Sequence, residues 1–282
     1  MPSAPSRDLM FRSQFLSLFL LACLATPTYA ATLSFPQPAD GDRSRYGFEF
    51  ALLEAALAAS RPASQKTQNS PSERLQWSAQ TMSQARARLE VAAGKLSVVH
   101  SVATPELDRQ LTPVRFAIDK GLNSQRILLT RKDLLPRLKA LRKTEELRTL
   151  RFGVLGSWSD RKALQSLGYQ VEVTESFSGL FKMLALGRSD AILTGVLNVQ
   201  QVQAYLAEPS ELEWEPSLLL ILPAKQQFYT APTAEGRALA QRLLRGLQTL
   251  KANGEFERLH AQYFGEQIEV GRGRRELRLD GF

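Results

Sequence analysis

Between residues 171 and 195 the chain reads VEVTESFSGLFKMLALGRSDAILTG, and the period of its apolar positions changes twice. Phe177, Leu180, Phe181 and Leu184 recur at helical spacing, with Ser176 placed to cap the start and Gly187 to end it, which predicts an amphipathic helix lying on a sheet. The flanking runs 171–174 and 191–194 are short, apolar and bounded by turn residues, the pattern of strands buried in a parallel sheet. Together they predict a βαβ unit. Upstream, the same reading gives a basic, exposed helix over 133–147, a strand over 150–155, a helix over 159–167 and a strand over 169–174. Strand and helix patterns alternate from Leu33 onward, which predicts the α/β class with mostly parallel sheets. Residues 60–73, SRPASQKTQNSPSE, carry almost no apolar side chain and predict a surface loop.

The N-terminus changes the compartment in which this fold must work. Arg7 and Arg12, an apolar core over 15–25 and the small-residue site Thr28-Tyr29-Ala30 predict a signal peptide over residues 1–30. An apolar run of that length is too short to span a bilayer, so the mature chain is expected to be exported and soluble. Cys23, the single cysteine, follows Leu20-Leu21-Ala22, which looks like a bacterial lipobox and keeps open a lipid-anchored alternative through Cys23. A mature chain without that cysteine has no disulfide and no thiol chemistry, and must rely on its core.

Charge adds less. The formal balance is +8, and export removes Arg7, Arg12 and Asp8, leaving +7. The charges are scattered in mixed sign with no aromatic residues interleaving a basic stripe, which excludes nucleic acid as a partner. Arg272, Arg274, Arg275 and Arg278 cluster in residues 266–282, which read as a basic C-terminal tail, either a solvated terminal strand or a surface for an anionic partner. No metal-ligand cluster, phosphate loop or Ser-His-Asp spacing is present, so no metal and no cofactor are implied.

Several blocks carry a resemblance. The helix between Ser176 and Gly187, followed by Gly187-Arg188-Ser189-Asp190-Ala191 and a strand, resembles the second lobe of the bacterial extracellular solute-binding proteins of family 3, the periplasmic substrate-binding proteins of amino-acid-type ABC transporters. Residues 46–57, YGFEFALLEAAL, resemble the family's first helix, and residues 89–99, LEVAAGKLSVV, its helix, Gly turn and strand. Residues 239–265, ending LKANGEFERLHAQYFG, resemble the closing helix pair, with Gly254 stopping one helix and Phe256, Leu259 and Tyr263 anchoring the next. Residues 113–129, PVRFAIDKGLNSQRILL, look closest to a poorly characterised, divergent branch. The resemblance implies a two-lobe periplasmic-binding-protein-like fold of type II, α/β, with a mostly parallel sheet and flanking helices in each lobe and two crossover hinge strands near 124–131 and 222–228. Lobe one would hold residues 31–126 plus 227–265, and lobe two residues 127–226. It further implies a monomer in the periplasm, no enzyme, a small-molecule ligand, and an inner-membrane permease or sensor as partner.

Two segments are expected to form the ligand site, because open parallel sheets leave backbone N–H groups unpaired at strand ends and helix N-termini. In the first, His100, Ser101 and Thr104 end a strand, and amino-acid carriers of the family place an Arg three residues after the Thr. That position is Leu107 here, leaving Arg109, Arg115 or Arg126 to substitute, or to be solvated surface charges. In the second, Gly156-Ser157-Trp158-Ser159 matches a turn with which the family binds an anionic group. The plainer alternative is that Ser157 or Ser159 caps a helix and Trp158 packs between elements. The family's ammonium-binding Asp would fall at Gly195. With both anchors displaced, a free α-amino acid is not the expected ligand. His100 also reads either as a general acid or base or as a hydrogen-bonded structural residue, and His260, on the apolar face of the last helix, as structural. The function expected is capture of a small polar or anionic solute in an interlobe cleft for an ABC-type importer. The alternative is a ligand-sensing or degenerate interaction module partnered with a membrane signalling protein.

Overall fold

The structure, a computed structural model, describes residues 32–61, 74–156, 158–206 and 211–279. Residues 1–31, which include the expected signal peptide and Cys23, most of the 60–73 segment and Ser157 lie outside them. In chain order the elements are β1 (Thr32–Pro38), α1 (Gly47–Ala59), β2 (Arg74–Met82), α2 (Gln84–Ala92), β3 (Val98–Val102), α3 (Pro105–Gln110), β4 (Thr112–Val114) and β5 (Gln125–Arg131). They continue with α4 (Leu135–Ala140), β6 (Arg151–Leu155), α5 (Ser159–Ser166), β7 (Gln170–Thr174), α6 (Phe177–Ala185), β8 (Ala191–Gly195), α7 (Val199–Gln203), β9 (Leu212–Trp214) and β10 (Leu218–Ile221). The last are β11 (Gln226–Thr230), α8 (Ala234–Ala252), α9 (Glu255–Gly271) and β12 (Arg275–Arg278).

Two bodies result. The first contains the β1-β2 pair and the sheet β3-β11-β4, covered by α1, α8 and α9 around Phe35, Leu52, Leu53, Phe228, Leu243 and Leu247. The second is a sheet of order β12-β10-β5-β8-β6-β7, with β9 also on β5. Leu128, Phe152, Val154, Leu193 and Leu220 fill one core of this body, while Leu129, Leu180, Leu184 and Ile192 pack in another with α6. The two-lobed α/β architecture implied by the resemblance is present. Among the described residues β1-β2, β6-β7, β6-β8 and β10-β12 pair parallel, and every antiparallel pairing contains β5 or β11, the strands at the two expected crossings. No helix of the described residues is long and apolar enough to cross a membrane.

The βαβ reading of 171–195 holds in its order of elements and in its caps. Ser176 Oγ accepts from Gly179 N at 3.1 Å to cap α6, and Gly187 ends it at φ +70°. Asp190 closes the next turn, accepting from Arg151 N at 2.9 Å and from Nε and Nη2 at 3.2 and 2.9 Å. Burial pushes this carboxyl up, but the Arg151 hydrogen bonds and charge outweigh it and hold the group below its usual range.

Three local expectations are corrected. Strand β7 is not buried: it is the outer strand beside β6, and Val173 is 40% exposed. Residues 133–147 form a short α4 preceded and followed by 3-10 turns, and Leu138, Leu141 and Leu147 are buried. Pro136 sits in the first turn of α4, and Glu146 accepts from Arg142 N and Lys143 N at 2.6 and 3.0 Å, hydrogen bonds that stabilise a turn in place of a continuous helix. Residues 266–279 do not trail from the fold, and the last three residues of the expected tail lie outside the described residues. Helix α9 runs to Gly271, with a non-helical break at Phe264, and β12 then adds to β10. The alternation in RELRL turns Leu277 and Leu279 into the second core while the intervening charges face out. The Arg274 guanidinium donates to Val270 O at 2.7 Å, Leu218 O at 3.3 Å and Glu215 O. After its two crossings, the chain therefore passes between the bodies a third time.

Candidate functional site

The cavity that the structure offers lies at the C-terminal ends of β6 and β8, where the parallel strands of the second body give way to helix starts. Its volume is about 410 Å³. Leu155 ends β6, Thr194 and Gly195 end β8, Trp158 and Asp160 stand at the start of α5, Phe177 opens α6, and Leu122, Asn123 and Arg126 come from the approach to β5. Open α/β sheets place ligands at this end of the strands because backbone groups there are unpaired and helix dipoles point inward.

The walls are set by close turns. Gly156 N donates to Thr174 O at 3.0 Å, and a Cβ at Gly156 would collide with the Glu175 carboxylate, so the turn after β6 is pressed against the turn after β7. Trp158 N donates back to Leu155 O at 3.0 Å. Its ring meets Phe177 edge-on at 6.4 Å, and Phe177 in turn packs on Tyr205 at 4.5 Å.

Among the described residues that line the cavity, Arg126 and Asp160 are the charged ones. Arg126 Nε donates to Asp160 Oδ2 at 2.9 Å and Nη2 to Oδ1 at 3.3 Å, while Nη1 donates to the carbonyls of Asn123 and Gln125 at 2.7 and 3.1 Å. Beside this pair Thr194 is buried, 2% exposed, and its hydroxyl has no hydrogen-bond partner among the described residues.

Of the residues named from sequence, Arg126 and Trp158 line this cavity. Ser159 opens α5, and Ser157 is outside the described residues. The others are in the first body, away from the cavity lining. His100 is 2% exposed in β3, with its Nε2 2.9 Å from Gln84 Nε2, its Nδ1 2.6 Å from Gln226 Nε2 and 3.3 Å from Glu49 Oε1. Its ring stands edge-on to Tyr46 at 4.4 Å. Gln226 also accepts from Asn123 Nδ2, so this buried network reaches the cavity through Asn123. Ser101 Oγ accepts a long 3.5 Å bond from Arg88, and Thr104 Oγ1 caps α3 by accepting from Leu107 N at 3.1 Å. Arg109 and Arg115 are surface residues, 70% and 72% exposed, paired with Glu106 and Asp108 at 3.3 Å each. His260 is buried in α9 against Asp119 O at 3.0 Å, and burial pulls its pKa down.

Sequence reasoning passed over Asp160, Thr194, Asn198 and Gln201. Asp160 was visible as an acid in the first turn of a helix, and Thr194 as the polar end of an apolar strand. Nothing in the order of residues put the two beside Arg126.

No protein-family model matches this chain, and no curated protein matches it by sequence. Solved structures do match its fold. The YckB protein of Bacillus subtilis superposes with a TM-score of 0.56 at 15% identity, covering 89% of this chain and 94% of that one. The second substrate binding domain of a protein assigned as an amino acid ABC transporter of Streptococcus pneumoniae gives 0.52 at 15% identity, covering 83% and 99%. The ancestral amino acid-binding protein AncCDT-1, a precursor of cyclohexadienyl dehydratase, gives 0.50 at 15% identity, covering 83% and 95%. At these identities the likeness establishes the two-lobed binding-protein fold.

Proposed function

We propose that this chain is an exported solute-binding protein, working in the periplasm, that closes its two bodies around a small molecule and presents it to the permease of an ABC-type importer. The observation that carries the reading is the cavity at the strand ends, whose lining includes Thr194, a residue with a buried hydroxyl that has no hydrogen-bond partner among the described residues. Support also comes from the crossover strands, which join the bodies as a hinge would, and from the substrate-binding domain among the similar folds. The reading is of a binding protein without catalysis. Both ring nitrogens of His100 lie within hydrogen-bonding distance of neighbouring glutamines, and His100 does not line the cavity.

The test is a thermal-shift screen of the mature chain against amino acids, peptides, organic acids, polyamines and uncharged aromatics, followed by small-angle scattering with each hit. A ligand at 100 times its dissociation constant adds about 2.7 kcal/mol of stability, which a melting curve resolves. A hit that also reduces the radius of gyration supports capture by closure. A flat screen with no compaction rejects it in favour of an interaction module.

A further inference from the structure

The cavity narrows the class of ligand, on the premise that the chain binds solutes as proposed above. Arg126 is the cation and Asp160 the anion of its lining, and each is committed to the other in a two-point fork. Two backbone carbonyls take the guanidinium's remaining terminal nitrogen. A ligand carboxylate would have to displace Asp160 from Arg126, and a ligand ammonium would find both Asp160 oxygens already facing a nitrogen. The pair supplies internally the two charges with which a zwitterion would be held, and the described residues of the lining have no formal charge left over. At Gly195 there is no acid either.

What remains is a polar spot in an apolar wall. Thr194 Oγ1 has no partner among the described residues, and a hydroxyl both donates and accepts. The carboxamides of Asn198 and Gln201 belong to the same lining. Leu155, Trp158, Phe177 and Val202 also belong to the lining, two of them aromatic and arranged edge to face. A volume of about 410 Å³ lies within the range of small-molecule pockets, roughly 300–1,000 Å³.

From this we infer that the cavity takes an uncharged ligand with a flat apolar body and a hydroxyl or carboxamide that bonds Thr194 Oγ1, in place of a free amino acid or organic acid. Leaving the hydroxyl unpaired against an apolar ligand forfeits a hydrogen bond in a buried place, so the polar group is what selects among apolar molecules.

The experiment sets matched probes against the mature chain by thermal shift and calorimetry. Indole-3-acetamide, benzamide and 2-phenylethanol form the uncharged set; indole-3-acetate, benzoate, phenylethylammonium and phenylalanine form the charged set. The uncharged set is expected to bind at least tenfold more tightly than its charged counterparts. Thr194→Val, which keeps the shape, is expected to weaken the amides and the alcohol about tenfold and leave indole itself unchanged, while Thr194→Ser restores them. Charged probes binding as tightly as uncharged ones overturn the ligand class and leave solute binding standing. Amide affinity indifferent to Thr194→Val overturns the anchor. Failure of every probe in both sets, together with a flat wider screen, removes this inference and the solute-binding reading together.

Discussion

The carboxylate of Asp160, in the first turn of α5, lies across the guanidinium of Arg126, at the start of β5, with separations of 2.9 and 3.3 Å. The side chains of Arg126 and Asp160 are 14% and 18% exposed, so each charge depends on the other more than a surface pair would. Asp160→Ala strands Arg126 beside the cavity. The expected cost is about 1–3 kcal/mol in denaturant unfolding. Acetate should recover part of it by entering the vacated place, and an acetate titration of the variant and the wild type measures this. Equal response of the two proteins would show that the guanidinium is not exposed to the cavity.

The last strand is expected to be structural. Leu277, 6% exposed, packs with Leu218 and Leu220 in the second core. Leu277→Ala should cost about 2–5 kcal/mol. The same change at Arg278, which faces solvent in a pair with Glu276, should cost under about 0.5 kcal/mol. Urea unfolding of the two variants separates a paired strand from a frayed tail, which would make them alike.

Helices α1 and α8 meet at Gly246, where an added Cβ would run into the carbonyl of Ala56. Alanine raises helix propensity by about 1 kcal/mol over glycine, so local preference alone predicts that Gly246→Ala stabilises. Backbone against backbone has no flexible atom to yield, and the helices must separate. The variant is expected to be destabilised by about 2 kcal/mol or more. A melting temperature at or above that of the wild type would contradict the close approach.

His260 gives the fold a pH dependence whose sign is fixed. Burial lowers its folded pKa, outweighing the bond to Asp119 O. Above the unfolded value of about 6.5 the ring is neutral in both states and costs nothing. As pH falls below that value, the unfolded chain takes a proton before the folded one, and stability drops by up to about 1.4 kcal/mol per pH unit. Denaturant curves between pH 7.5 and 5 should show the wild type losing more stability than His260→Gln. Parallel losses would mean that the ring is charged in the fold.

The residues that read correctly in sequence did so for local reasons. Ser176 and Gly187 bound a helix because one side chain can satisfy a free amide and one residue type tolerates φ +70°. His260 is structural because its helical face is apolar. For the C-terminal segment the expected terminal strand is present at 275–278, but it is paired and not solvated, because whether a strand is paired depends on an edge that only the fold creates. The expected site was spread over strand ends in both bodies, and the cavity collects Arg126 and Trp158 from that set, with partners contributed by β8 and α7.

The order of residues determined the period of each element, its caps and the α/β alternation, since these depend on neighbours a few positions apart. The tertiary structure alone decided that Asp160 would neutralise Arg126, 34 residues away, that the Thr194 hydroxyl would have no partner among the described residues, and that residues 275–278 would return to the second sheet. Those outcomes depend on which strand lies beside which, and on what burial removes from water, and neither is carried by spacing along the chain.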